Sequence, residues 1–253
     1  MMDTNRWTQE ILNKGVLEIA VENIQALTHE EYALKRKDYL GASDSSILCG
    51  VNLYKTLDQL ITEKNIKAIT AEEKEVGEKP IVRKGFDLEP LILSKAEFEL
   101  ATTLDETIYL YKPQDMFKFK QVDGLSVNYD GVLVTNDNTL IPVEAKLVST
   151  YGEKYYNKLV TIEDAKKLDM SLEGTDLATH IKRKALKLGI PPYYYTQCQQ
   201  EIAGLDAPYG YLAAMFDNSW TFKLFYIPRD EYVINSIYKR CEDVIPKIKR
   251  DTN

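Results

Sequence analysis

Histidine and cysteine are scarce in this sequence. His29 and His180 are the only histidines, and Cys49, Cys198 and Cys241 stand far apart with no CxxC pair. So few histidines argue against a His-based catalytic relay or a His-rich metal site. Three scattered thiols suit a reducing compartment and argue against a zinc or iron–sulfur centre. No apolar run approaches the roughly 20 residues that cross a bilayer, and the start lacks the charged-then-apolar pattern of a signal peptide. The expectation is a cytoplasmic protein with no membrane partner. An excess of positive charge is missing too: 39 acidic residues face 32 basic ones, a net charge of −7. That excludes a generic nucleic-acid coat, which relies on Lys and Arg. It leaves room for an enzyme with a local basic channel around a cluster of acids.

What is present is the composition of a globular chain. Its 253 residues, 44% hydrophobic and 28% charged, suffice for one large core. No repeat or low-complexity linker divides it, so the sequence predicts a single domain over 1–253. Within it we expect an N-terminal helical part over about 1–65, a core over about 80–228 and a closing helix over about 229–250. Seventeen tyrosines suggest aromatic packing or stacking surfaces.

Along the chain, Ile11, Leu12, Val16, Leu17 and residues 19–21 lie close to helical spacing. Thr28 with Glu31 predicts a capping box for a helix running to about Tyr39. That helix ends on Lys35-Arg36-Lys37, either a solvated end favoured by the helix dipole or a phosphate contact. The small-residue loop Gly41-Ala42-Ser43-Asp44-Ser45-Ser46 leads into a short helix, as an N-cap or as an anion cradle. Thr56 caps a helix whose Leu57, Leu60 and Ile61 face inward. Residues 64–80, rich in Lys and Glu, read as an exposed connection. Pro90 fits the first turn of a helix with the apolar stripe Leu91, Ile92, Ala96 and Leu100. Glu89 then sits near that helix start, as a cap or as a site carboxylate.

Residues 107–127 carry short extended runs. Residues 150–190 form a charged insertion whose Lys182-Arg183-Lys184 and Lys187 make either a DNA-facing arm or a solvated helix. After Pro191-Pro192 comes a helix ending near Gly204, with Gln197 and Glu201 one turn apart. Residues 209–216 and 221–227 read as a hairpin around Asp217-Asn218. Val233, Ile237, Cys241, Val244 and Ile248 mark the closing amphipathic helix.

The stretch Asn128–Val148 organises the rest. Asp130-Gly131 enters the apolar run Val132-Leu133-Val134, Asn136-Asp137-Asn138 supplies a turn, and Leu140–Val148 returns. On a strand, Glu144 and Lys146 share one face while Val143, Ala145 and Leu147 take the other. A carboxylate and an ammonium beside apolar positions cost desolvation. Two acids can hold Mg²⁺, which lowers the pKa of a bound water and stabilises charge on an attacked phosphate. Lys146 would orient or deprotonate that water, or screen the developing charge. The hairpin alone slightly favours an ordinary Glu–Lys pair on a solvated face; the remaining motifs shift the balance to phosphodiester cleavage.

Those motifs are Arg36 with the GASDSS stretch, Gly85–Glu89 before Pro90, Asp130-Gly131, Glu144-Ala145-Lys146 and Gln197-Cys198-Gln199. Their order resembles the lambda-type phage exonucleases, the YqaJ-like viral recombinase family of the PD-(D/E)xK nuclease superfamily. The resemblance implies an α/β (α+β) fold with a restriction-endonuclease-like core, a central mixed β-sheet flanked by helices. It implies two ions, Mg²⁺ or Mn²⁺, held by Asp130, Glu144 and the main-chain carbonyl of Ala145, with Glu89 assisting. Lys146 would serve the attacking water, Gln197 would position Lys146 or the scissile strand, and Arg36 with Ser43 would hold a 5′-phosphate. The implied activity is Mg²⁺-dependent digestion of one strand of linear duplex DNA, 5′ to 3′, leaving 3′ overhangs for phage-type recombination in a host cytoplasm. The implied partners are duplex ends, a single-strand annealing protein and two further copies in a trimeric ring. The rivals are an endonuclease or nickase of the same superfamily, and a non-catalytic DNA-end-binding module. Three departures stand out: Asn128-Tyr129-Asp130 replaces the usual Pro-Asp, Ala145 replaces a bulkier apolar residue, and the insertion after Lys146 is long, which bears on the substrate channel and on ring assembly.

Overall fold

The return strand of the central hairpin, Leu140–Val148, becomes the middle of the sheet on which everything else is hung. The computed structural model describes residues 4–104, 108–156, 162–167 and 176–250. In chain order the helices and strands up to that hairpin are α1 (Thr4–Asn13), β1 (Leu17–Val21), α2 (His29–Arg36), α3 (Ser45–Leu48), α4 (Leu57–Asn65), α5 (Ala71–Glu78), α6 (Pro80–Leu104), β2 (Tyr109–Tyr111), β3 (Met116–Phe119) and β4 (Ser126–Val127). The hairpin is β5 (Gly131–Val134) and β6 (Leu140–Val148). After it come α7 (Thr150–Glu153), α8 (Ile162–Lys167), α9 (Leu177–Leu188), α10 (Pro192–Gly204), β7 (Tyr209–Phe216), β8 (Phe222–Pro228) and α11 (Glu231–Val244).

Two sheets form among the described residues: a three-stranded sheet ordered β1-β3-β4 and a five-stranded sheet ordered β2-β5-β6-β7-β8. The larger sheet is mixed. Only the central β6–β7 pair is parallel, and the segment carrying α7 to α10 crosses over between them. Pro142 shows how the sequence permits this. Val132 stands opposite it on β5, while pairing with β7 begins one residue later, at Val143↔Tyr211. The missing N–H of the proline is therefore not required by either ladder.

Two glycines bring helices close to the sheet. A Cβ on Gly131 would lie 3.0 Å from Leu93 of α6, and one on Gly210 would lie 3.0 Å from Ile202 of α10. Gly131 pairs with Val143, and the Gly210 position abuts Pro142, so α6 and α10 cover opposite faces of the sheet. One hydrophobic core runs through both sheets. Between them, Gln200 of α10 donates to the carbonyl oxygens of Ser126 (2.7 Å) and Leu40 (3.4 Å). No helix among the described residues is long and apolar enough to cross a membrane.

Several local expectations are corrected. Residues 17–21 are a strand, paired Leu17↔Phe119 with β3, because Gly15 at φ +77° ends α1 and the β-branched residues beyond it suit a sheet. The helix after Thr28 has its capping box but stops at Arg36, short of Tyr39. Residues 71–78 of the expected exposed connection are α5, capped by a Thr70–Glu73 box. Pro90 lies inside the 25-residue α6, so Glu89 is mid-helix and caps nothing. The lost backbone bond at Pro90 is outweighed by burial of Ile92, Leu93, Ala96 and Leu100. In the 150–190 insertion, residues 157–161 and 168–175 lie outside the described ones. Of its basic cluster, Lys182 and Arg183 are exposed, but Lys184 is buried, 4.0 Å from Asp230.

Candidate active site

Continuing the β5–β6 register one step beyond Gly131↔Val143 sets Asp130 opposite Glu144. Asp130 Oδ2 accepts the backbone N–H of Ala145 at 3.0 Å, standing in for the strand that ends at Gly131. In a ladder the N–H and C=O of one residue face the same side. The Ala145 carbonyl therefore also faces the end of β5, past its last paired residue.

Lys146, next but one after Glu144 on the same face, donates to Glu144 Oε1. Gln197 donates to the same oxygen and, at 3.1 Å, to Glu201 Oε1. These two come from one stripe of α10: Tyr194, Gln197 and Glu201 recur at helical spacing. The Lys146 ammonium sits over the Tyr194 ring, 5.4 Å from its centroid. Glu89 is one turn before Leu93, the residue packed on Gly131, and so reaches the same region from the other face of the sheet. It pairs with Lys112.

Electrostatically the site holds more acid than it neutralises. Burial, then the charge of Asp130, pushes the Glu144 carboxyl up to about 7, with Lys146 and Glu201 pulling the other way. Glu201, also buried, is raised well above the ordinary carboxylate range by burial, then by Glu144 and Asp130. Glu89 is raised as well, by burial and then Asp130. Burial alone would lower Lys146; Glu144, Asp130 and Tyr194 outweigh it and hold the amine protonated, so it is a hydrogen-bond donor and a positive charge, not a base.

At the edge of the same region, Arg36 Nη2 donates to Ser43 Oγ at 3.3 Å, and its guanidinium lies over the Tyr32 ring at 5.7 Å. Arg36, Ser43, Glu89, Asp130, Glu144, Ala145, Lys146 and Gln197 all line one cleft of about 670 Å³. The eight residues named from the sequence as metal, catalytic or 5′-phosphate groups are therefore brought to one place, while the basic cluster at 182–187 lies outside it. Two partners were not singled out. Glu201 was signalled only by lying one turn beyond Gln197, and Lys112, in the turn after β2, carried no local signal.

Among the described residues no three His, Cys, Asp or Glu side chains stand together as a ready-made metal cluster. The donor chemistry nonetheless fits a hard divalent cation. Asp130, Glu144 and the Ala145 carbonyl offer oxygens alone, and a cation would offset the burial and the Asp130 charge that push the Glu144 carboxyl up.

The family model of the YqaJ-like viral recombinase domain matches residues 31–204, which contain all of these side chains. Among solved structures, an alkaline exonuclease (LHK-Exo) from Laribacter hongkongensis is similar, with a TM-score of 0.50 and 14% identity over 84% of this chain and 89% of that one. The crystal structure of LHK-Exo in complex with dAMP is similar with a TM-score of 0.51 and 16% identity over 86% and 91%. At these identities the likeness concerns the fold. No curated protein sequence matches the chain. Since the family model spans more than half of its length, the chain belongs to the YqaJ-like viral recombinase family.

Proposed function

We propose that this protein is a divalent-metal-dependent exonuclease that digests one strand of linear duplex DNA from a 5′-phosphorylated end, leaving 3′ overhangs. One observation carries the reading: a cluster of acids with a protonated lysine and a glutamine shares a single cleft with an arginine–serine pair suited to a terminal phosphate. Asp130, Glu144 and the Ala145 carbonyl would hold Mg²⁺ or Mn²⁺, with Glu89 released from Lys112 to assist a second ion. Such ions acidify a bound water and stabilise charge on a phosphate.

The chain's own groups do the rest. Lys146, protonated and flanked by Glu144 and Tyr194, places a positive charge where negative charge develops on the phosphate. Gln197 ties Glu144 to Glu201 and so fixes the rotamer of the carboxylate. Arg36 and Ser43 present N–H and O–H donors to the 5′-phosphate and set the distance from the strand end to the acids. The 3′-tailed product is the form a single-strand annealing protein would take up, and a ring of three copies around the duplex belongs to the same reading.

The test uses end-labelled linear duplex and covalently closed circles, each with and without Mg²⁺. Expected is mononucleotide release from the 5′ end of the linear DNA with Mg²⁺ only. Loss of that release is expected in Asp130→Asn and Glu144→Gln, with folding unchanged by circular dichroism. Cleavage of the closed circle would establish an endonuclease instead, and full activity in either variant would remove the acids from the chemistry.

A further inference from the structure

Tyrosine side chains lead outward from the acid cluster in an unbroken series. Beyond Lys146 and Tyr194, the Tyr193 ring lies 4.6 Å from that of Tyr194. Tyr193 in turn contacts Tyr54 at 6.2 Å and Tyr155 at 6.5 Å, each close to edge-on. The Lys154 ammonium sits 5.0 Å from the Tyr155 ring centroid. At the end of the series Tyr54 is 74% exposed.

Its exposure is not that of a loose loop. Asn52 Oδ1 accepts the backbone N–H of Tyr54 (2.8 Å) and of Lys55 (2.9 Å), and Asn52 Nδ2 donates to Ser46 Oγ at 2.8 Å. The N–H groups of Val51 and Asn52 both donate to the Ser46 carbonyl. Ser46 is buried in α3, two residues after the loop that carries Ser43. The backbone that carries the exposed ring is thus fixed from α3, the helix that directly follows the loop bearing Ser43. Tyr54 lines a second cleft, of about 920 Å³, that shares Ala33, Arg36 and Ser43 with the catalytic one.

We propose that Tyr54, with Tyr193 and Tyr155 behind it, is a stacking platform for the unpaired bases of DNA next to the scissile end. The occupant follows from the chemistry. Bases inside a duplex have both faces covered by their neighbours, so only splayed or single-stranded bases offer a free face to a ring. A fixed tyrosine gives up little side-chain freedom on stacking, and stacking tolerates any base. Lys154 places a cation beside the rings for the accompanying phosphates. The proposal rests on the exonuclease reading, because digestion of one strand is what leaves unpaired bases at this position.

The test measures binding in EDTA, so that it does not depend on hydrolysis. Fluorescence anisotropy compares a blunt duplex with the same duplex bearing a short unpaired tail, for the full chain and for Tyr54→Ala and Tyr54→Trp. A second probe carries 2-aminopurine in the tail. Wild type should prefer the tailed duplex and quench the 2-aminopurine. Tyr54→Ala should lose roughly 5-fold or more of that preference, and Tyr54→Trp should restore both signals. A tailed-to-blunt ratio that Tyr54→Ala leaves unchanged would overturn the platform. Failure of the exonuclease reading would appear separately, as intact linear duplex in Mg²⁺.

Discussion

Asp130 and Glu144 face each other at the end of the β5–β6 ladder, where like charges on opposite strands disfavour pairing. Hairpin stability alone would be better served without one of them. The surrounding residues instead hold both in place, and Glu201 is the least obvious of those residues. It is buried and shares Gln197 with Glu144, and burial followed by the charges of Glu144 and Asp130 favours its neutral form, so it braces the site through Gln197. Its role is positioning. Glu201→Gln, which retains a donor and an acceptor of the same size, should keep near-normal single-turnover cleavage. Glu201→Ala should lose roughly 10- to 100-fold in the rate of the chemical step, as expected when a partner of a site carboxylate is removed, with little change in KM. Equal losses in both variants, or a loss confined to KM, would show that Glu201 only fills space.

At the scale of elements, the legible parts of the chain were those governed by local chemistry. The Thr28–Glu31 capping box, the turn at residues 136–138 and the α10 stripe all form as their residue types dictate. The residues that misled were decided by distant partners. Leu17–Val21 reads as helix until β3 is available to pair with it, and α6 runs through Pro90 because its buried stripe outweighs one lost hydrogen bond. Burial of Lys64 could not be read at all, since its partners are two carbonyls and an acid 20 or more residues away. Lys64 donates to the carbonyl oxygens of Arg36 (3.1 Å) and Tyr39 (2.6 Å) and pairs with Asp44 at 2.9 Å. It thereby clamps the end of α2 to the loop bearing Ser43.

Burial alone would raise the Asp44 carboxyl, but Lys64 and then Arg36 outweigh it and hold the pKa below the ordinary 3.8. Burial lowers the pKa of Lys64 more than Asp44 raises it, so the pair is held against a desolvation cost. Removing one partner of such a pair costs about 3–5 kcal/mol, and Lys64→Ala should show that loss in urea unfolding. The sign of the pH effect follows from the depressed acid. The folded state keeps Asp44 ionised to lower pH than the unfolded state does, so its contribution is full above 3.8 and vanishes as pH falls through the folded value. Wild type should therefore lose stability more steeply below that pH than Lys64→Met. Parallel acid-unfolding curves for the two would remove the clamp.

For the whole molecule, the net charge of −7 means that the long-range field repels DNA. On the proposed reading, attraction has to come from the cations of the cleft, which Arg36, Lys112 and Lys146 line. Each phosphate neutralised on duplex DNA adds about −0.9 to the slope of log K against log salt. Three cleft cations therefore predict a slope of about −3 for binding a blunt duplex in EDTA. Glu89 and Glu144, which compete for Lys112 and Lys146, would bring it nearer zero. Arg36→Ala should flatten the slope by up to about one unit, because Arg36 donates to Ser43 and only shares the charge of Asp44 with Lys64. Lys182→Ala, on the exposed side of α9, should leave the slope unchanged if binding is confined to the cleft. A wild-type slope much steeper than about −3 that Lys182→Ala reduces would mean that the basic cluster of the insertion lies along the duplex, extending the DNA-binding surface beyond the cleft.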